Sequence, residues 1–302
     1  MFQLINTLLI GVTSGVIYAL MALTIVLVWR STRVINFAQA GQALTSTFIG
    51  FQALHYVNSF WVAFLAAMVG GALISAFIEI VLMRVLLKHA TSGAIAGVAP
   101  IIATLGLLEV LNAAITLIWG GDDHLITPPF SNVGYSIGTN TLVFSPMKLA
   151  IIVIVLVLLG LLSVIFQKTS IGLSLRAAAF SPELARLAGV RVDRIRTFGW
   201  ALSGATGAVA GLLFVTNGNG SFSTASTGFS LLLITGFISA VIGGLESLLG
   251  SVVGGLILGI ITSFVLMYIS GSLFFIAPFV VLLLALFIRP QGIFAKKGGR
   301  RA

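Results

Sequence analysis

The polar residues that interrupt the apolar runs of this sequence are few and regularly spaced. Asn36, Gln39 and Gln42 recur every third residue, and Glu109, Asn112 and Thr116 follow one another at steps of three and four. On a helix such steps bring side chains onto one stripe. Carboxamides and a carboxylate are costly in hydrocarbon, so they tend to face a bundle interior or a solute path, where they can hydrogen-bond a small polar molecule or carry a proton. A protonated, hydrogen-bonded structural glutamate is the competing role for Glu109. Glu79, close in sequence to Arg84, suits a structural ion pair.

Other chemistry finds little support. The chain has no cysteine, which removes disulfides, thiolate nucleophiles and Cys-ligated metal clusters. A phosphate-binding GxxxxGK[ST] loop is absent, because none of Lys88, Lys148, Lys168, Lys296 or Lys297 follows a glycine. His55, His89 and His124 sit in separate loops without metal-ligand spacing. Asp122 and Asp123 are adjacent in a polar segment and read as a solvated turn rather than a catalytic pair. No nucleophile can be matched with a base, so neither an enzyme nor a cofactor or metal site is expected.

The elements that must position these residues follow from the solvent. Of 302 residues, 59% are hydrophobic and 8% charged, whereas a water-soluble domain carries roughly 25% charged residues. No charge precedes Arg30, and none lies between Arg33 and Glu79, Lys148 and Lys168, Arg196 and Glu246, or Glu246 and Arg289. One crossing of the hydrocarbon core takes roughly 20 apolar residues. Runs such as Leu149 to Leu162 do not alternate as barrel strands would. The expectation is an all-α polytopic bundle with nine spans near residues 4–29, 36–54, 60–83, 95–118, 148–167, 198–215, 229–245, 250–269 and 273–288, forming one transmembrane domain over 1–302. The second and seventh are the ones expected to be broken or re-entrant. The first lacks the basic flank and cleavage site of a signal peptide and reads as a retained helix.

Charge bias gives the orientation. With the N-terminus outside and the C-terminus in the cytoplasm, every one of the sixteen Lys and Arg residues except Lys148 falls on the inner side, as retention of basic loops requires. Lys148 would snorkel to the outer interface. The +9 net charge therefore serves topology and contact with membrane lipid rather than nucleic acid, for which no basic soluble module is present. Gly11 and Gly15, Gly207 and Gly211, Gly250 and Gly254, and Gly255 and Gly259 are GxxxG pairs suited to close helix packing inside the bundle.

The sizeable inner segment is Lys168 to Thr197. Within it Ser181 is a good N-cap, Pro182 fits the first helical position, Glu183 complements the positive helix end and Gly189 is a natural stop. These predict a two-turn helix over 182–188. A helix that short is unstable alone in water, so it must dock, either on its own bundle or in a groove of a cytosolic partner met by Glu183 and Arg186.

Four segments, in order, resemble the permease subunits of branched-chain amino acid ABC importers, the LivH type. GVTSGVIYALMAL with VINFAQAG (11–23 and 34–41) is similar to that family's first two helices. SIGLSLRAAAFSPELARLAGV resembles its coupling loop, with Arg176, Ala177, Ala185 and Gly189 in place. AVIGGLESLLGSVVGGLILG (240–259) resembles its glycine-rich helix pair and IRPQGIF (288–294) its C-terminal motif. The family commonly has His-Gly where this chain has Gln39-Ala40, and related permeases handle urea or short amides.

The resemblance implies a location in the bacterial inner membrane, a solute-binding protein outside, a second permease subunit of the LivM type beside this chain, and ATP-binding cassette ATPases on its coupling residues Arg176, Ser181, Pro182, Glu183, Ala185, Arg186 and Gly189. Asn36, Gln39, Gln42, Glu109 and Asn112 would line the path. The competing reading is a self-sufficient secondary transporter or channel for a small solute such as urea, with Glu109 as ion carrier; a membrane-embedded enzyme or scaffold is the third.

Overall fold

A computed structural model describes residues 2–89, 94–137 and 140–294. The basic residues from Lys296 to Arg301 and the side chains of Lys88 and His89 lie outside the described part. Twelve α-helices are present among the described residues: α1 (Phe2–Thr32), α2 (Gln39–Val57), α3 (Phe60–Ile78), α4 (Arg84–His89), α5 (Ala94–Trp119), α6 (Pro146–Lys168), α7 (Ser170–Phe180), α8 (Pro182–Leu187), α9 (Val192–Asn217), α10 (Gly228–Gly243), α11 (Leu248–Phe264) and α12 (Ala277–Ile288). A π-helical turn, Glu79–Met83, joins α3 to α4 in one rod, a second one extends α11 through Ile269, and a 3-10 turn, Gly271–Phe274, precedes α12. Four two-residue strands are also present among the described residues: β1 (His124–Leu125), β2 (Ser136–Ile137), β3 (Asn140–Thr141) and β4 (Ser221–Phe222), paired antiparallel as β1 with β4 and β2 with β3.

Six helices are long and apolar enough to cross a membrane, and they coincide with six of the nine expected spans. The remaining three are α2, α10 and α12. At about 1.5 Å per residue, the 16 residues of α10 reach about 24 Å and fall short of a hydrocarbon core of about 30 Å. The second span, expected from 36, begins its helix only at Gln39, because Arg33 takes a left-handed φ of 58° and ends α1. The helices of the second and seventh expected spans, α2 and α10, are each continuous, the first starting late and the second short, and α12, at 12 residues, is shorter still.

Small residues explain which helices are central. The most apolar window of α1 is 78% buried against 11% for that of α5, so α1 is wrapped by other helices while α5 lies at the periphery. A Cβ placed on Gly259 would stand 2.3 Å from the Cα of Gly15, and one on Gly11 2.8 Å from the Cα of Ile260. Only glycine lets α1 and α11 touch backbone to backbone along this seam. The other glycine pair of α11 serves a different neighbour: Cβ atoms on Gly250 and Gly254 would strike the carbonyls of Gly243 and Ser239 on α10. Gly204 of α9 meets Gly71 of α3 in the same way.

Charge sorts to one end of this bundle. Arg33 pairs with Glu246 in the α10–α11 turn and donates to the Ala179 carbonyl at the end of α7. Arg84, Glu79, Asp193 and Thr197 gather at the same end, and the backbone N–H groups of Ile293 and Phe294 donate to Ile242 and Gly243. At the opposite end β1 and β4 pair, Asn132 donates to the carbonyls of Thr216 and Gly218, and Lys148 donates to the Val143 carbonyl at 2.7 Å. Asp122 and Asp123 are exposed there.

The segment 168–197 is more ordered than one short helix. Thr169 caps α7, its hydroxyl accepting from the Gly172 N–H at 3.2 Å, and the SIGLSLRAAAF run continues as helix for 11 residues. α8 then starts as its residues dictate: the Ser181 hydroxyl accepts from Leu184 N–H, Pro182 occupies the first turn, and Gly189 leaves it with φ +83°. The helix ends at Leu187, one residue before the expected limit.

Candidate functional site

The polar residues of the sequence separate into two places. Gln39 is fully buried and sits where α1, α2 and α9 meet. Its amide nitrogen donates to the Ser203 carbonyl at 3.4 Å, and its amide oxygen accepts from Asn36 Nδ2 and from the Ser203 hydroxyl, both at 3.2 Å. Ser203 also donates to the Thr24 carbonyl at 2.9 Å. Gly207 makes room, since a Cβ there would lie 2.2 Å from Gln39 Nε2. Asn36 does not share a helical stripe with Gln39, contrary to the expectation from spacing. It precedes α2, and its side-chain oxygen accepts from the Ala38 N–H at 3.1 Å, so it shapes the entrance to the helix.

Gln42, one turn on, is buried to the same degree, and neither amide atom has a hydrogen-bond partner; Ser75 Oγ on α3 and the indole N–H of Trp200 on α9 are unpaired as well. Buried polar groups are ordinarily satisfied. An unpaired carboxamide inside a bundle is a group with hydrogen bonds still to give.

Glu109 and Asn112 lie elsewhere. Glu109 is the sixteenth of the 26 residues of α5 and is exposed on the surface of the chain, between the exposed apolar residues Ile102, Leu105, Val110 and Leu117. Gly106, one turn earlier, has no neighbour within 4 Å of an added Cβ. Asn112 is half-buried beside it, and Thr116 turns its hydroxyl back to the Asn112 carbonyl at 2.9 Å. The structure therefore keeps Gln39 and Gln42 inside the subunit and puts Glu109 on its outer face.

The residues expected to couple to an ATPase fall at the basic end. Ala185 is buried against Ala178 and Val192, pinning α8 to α7 and α9. Glu183 is exposed; Arg186 pairs at 3.6 Å with Asp193 of α9. Arg176 lies on α7 rather than in a loop and faces a cavity bounded by α1 and the α10–α11 turn. Sequence reasoning passed over Phe180, Leu184 and Leu187, which are 88%, 61% and 86% exposed. All three are apolar side chains left exposed at the charged end of the chain. Residue type gave no signal for this, since leucine is more often buried than exposed; the exposure follows from Ala185 taking the inward position.

Glu79 is placed as its proximity to Arg84 foretold. Arg84 donates to Glu79 Oε2 at 2.9 Å, and the pair extends to Thr197. His124, at the far end, packs among Phe48, Phe51 and Phe222.

Comparison with known proteins places this architecture. The sequence profile of the family described as "Branched-chain amino acid transport system / permease component" matches residues 7–288. The probable branched-chain amino acid transport permease protein LivH of Methanocaldococcus jannaschii is 29% identical over 91% of this chain and 87% of its own. The high-affinity branched-chain amino acid transport system permease protein LivH of Escherichia coli K12 is 26% identical over 95% and 94%. The ribose import permease protein RbsC of Haemophilus influenzae is 30% identical over 69% and 66%. Among solved structures, PsaBC from Streptococcus pneumoniae in complex with Fab aligns over 95% of this chain and 91% of that one, with a TM-score of 0.49 and 16% identity. With the profile matched across nearly the whole bundle, this multi-pass membrane protein belongs to the family of branched-chain amino acid transport system permease components.

Proposed function

We propose that the chain, as a single transmembrane domain, supplies half of the membrane path of an ATP-binding cassette importer for branched-chain amino acids or similarly small polar solutes. ATP is hydrolysed by separate subunits. The observation that carries the docking part of this reading is the exposure of Phe180, Leu184 and Leu187 at the basic end. Apolar side chains left in water are unfavourable, and a partner at that end would cover them. Arg176, Ser181, Pro182, Ala185, Arg186 and Gly189 build the support, and Glu183 stays free to meet a charge on the ATPase. The basic end then lies in the cytoplasm of a bacterium, by the retention of basic loops, with the N-terminus outside and a solute-binding protein at the end that carries β1 and β4.

Glu109 favours a second permease subunit, of the LivM type or another copy, on the outer face of α5. A carboxylate amid hydrocarbon is costly; against a partner it borders an aqueous path. Asn112 adds a second polar group there. Asn36, Gln39 and Gln42 lie behind this surface and reach solute only when α2 moves against α3 and α9.

The test is uptake in proteoliposomes holding this chain, its permease partner, the ATPases and the binding protein. Labelled leucine, urea and ribose are compared. ATP-dependent accumulation of leucine supports the proposal; gradient-driven uptake by the chain alone would sink it.

A further inference from the structure

A cavity of about 470 Å³ opens at the basic end between α1, α6, α7 and α11. Its charged lining is three guanidiniums, Arg30, Arg33 and Arg176, against one carboxylate, Glu246. Glu246 is taken up by Arg33, which leaves Arg30 and Arg176 without a carboxylate partner among the described residues. Arg30 lies over the Phe166 ring, its Cζ 5.4 Å from the centroid, and Arg176 donates from Nε to the Gly172 carbonyl, with its terminal nitrogens unengaged among the described residues. Two free planar forks are therefore turned toward one space, the arrangement that binds a phosphate through paired N–H donors.

The cavity also has an apolar rim: Leu249 and Phe294 line it and are 65% and 46% exposed. Arg30 and Phe166 each stand in the last turn of an apolar membrane-crossing helix. That is the depth at which a lipid carries its phosphate. From Gln167, which lines the cavity, the exposed face of α6 continues through Val164 and Leu161 at steps of three.

We infer that this cavity is a binding site for an anionic phospholipid, with the headgroup phosphate held by Arg30 and Arg176 and the acyl chains lying along the apolar rim and α6. A free anion would satisfy the arginines but leave Leu249 and Phe294 in water; a zwitterionic lipid would bring a cation toward three guanidiniums. Basic pockets between membrane helices on the cytoplasmic side are a recurrent setting for such headgroups. The bound lipid would join the ends of α1 and α6 to α7, the support of the proposed docking helix. The inference depends on the basic end lying at the membrane boundary and not on which solute is carried.

The full chain, purified in mild detergent, is delipidated and titrated with phosphatidylglycerol, phosphatidylcholine or inorganic phosphate, with lipid retention read by native mass spectrometry. Phosphatidylglycerol is expected to remain bound at least about tenfold more than phosphatidylcholine, the ratio collapsing in the Arg30→Gln, Arg176→Gln pair and surviving in Arg194→Gln, since each basic group near a headgroup adds to the binding. Glu246→Gln should strengthen retention, which keeps the test open if the double variant folds poorly. Equal retention of the two lipids, or an unchanged ratio in the double variant, overturns the inference. So does displacement of the lipid by millimolar phosphate, which would mark a soluble-anion site, and so does release of the lipid when the ATPase subunits bind, which would mark a protein-binding surface.

Discussion

The hydroxyl of Thr197 donates to Oε2 of Glu79 at 2.6 Å, across 118 positions of sequence. The same carboxylate oxygen accepts from Arg84 at 2.9 Å, and Arg84 reaches on to Thr197 at 2.7 Å. The triangle ties the α3–α4 rod to the first turns of α9, just above the helices that meet the proposed motor. Glu79 is 1% exposed and Arg84 26%, so removing the acid strands a partly buried cation. Glu79→Ala should cost about 2–3 kcal/mol, below the full penalty for a completely buried pair because Arg84 keeps some water. Thermal unfolding in detergent reads this directly, and Glu79→Gln, which retains a hydrogen-bond acceptor, should lose less.

The seam between α1 and α11 leaves no room for a methyl group. Gly259→Ala brings a Cβ to within 2.3 Å of the Gly15 backbone, which must move rather than rotate away. A destabilisation of about 1–3 kcal/mol is expected, as for overpacked cores. Gly160→Ala, inside α6 at a position where an added Cβ meets nothing within 4 Å, should hold or slightly raise the melting temperature, since alanine is the better helix former. Equal effects of the two substitutions would contradict the close packing.

Glu109→Gln separates transport from stability. The described structure gives this carboxylate no internal ion-pair partner, so the isolated chain should melt as the wild type does. Uptake by the assembled transporter should fall about tenfold, the scale expected when one charge-assisted hydrogen bond is removed from a path. Wild-type uptake would return Glu109 to a purely structural part.

The absence of cysteine makes the two ends separately addressable. A cysteine at position 183 should react with a membrane-impermeant maleimide only in inverted vesicles, and one at 123 only in intact cells. Labelling of position 183 from outside would reverse the orientation.

Much of this was legible in residue types. Charge spacing marked six long helices, and Ser181, Pro182 and Gly189 defined α8 almost to the residue, because capping is a local matter. What could not be read was relational. Whether Gln39 faces solute or Ser203 depends on how α9 crosses α2, and spacing along α2 carries no record of that. Asn36 misled for the same reason: a step of three suits a helix, but Arg33 had already broken it. The leucines of α8 belong to a short helix whose inward side the sequence leaves open, and their exposure follows only from Ala185 taking the inward position. The GxxxG pairs announced close approaches without naming partners, and the two pairs of α11 turned out to meet two different neighbours, α10 and α1.

The π-helical turn Glu79–Met83 fixes more than a bend. A π-turn accommodates one more residue per turn than the α-helix around it. Wound as regular α-helix, the five positions from Glu79 to Arg84 would set the two side chains about 140° apart around the axis; the wider turn brings them onto one side. Deleting a single residue there should therefore be tolerated better than inserting one, because the shortened rod would wind as regular α-helix with the basic residue four positions after the acid.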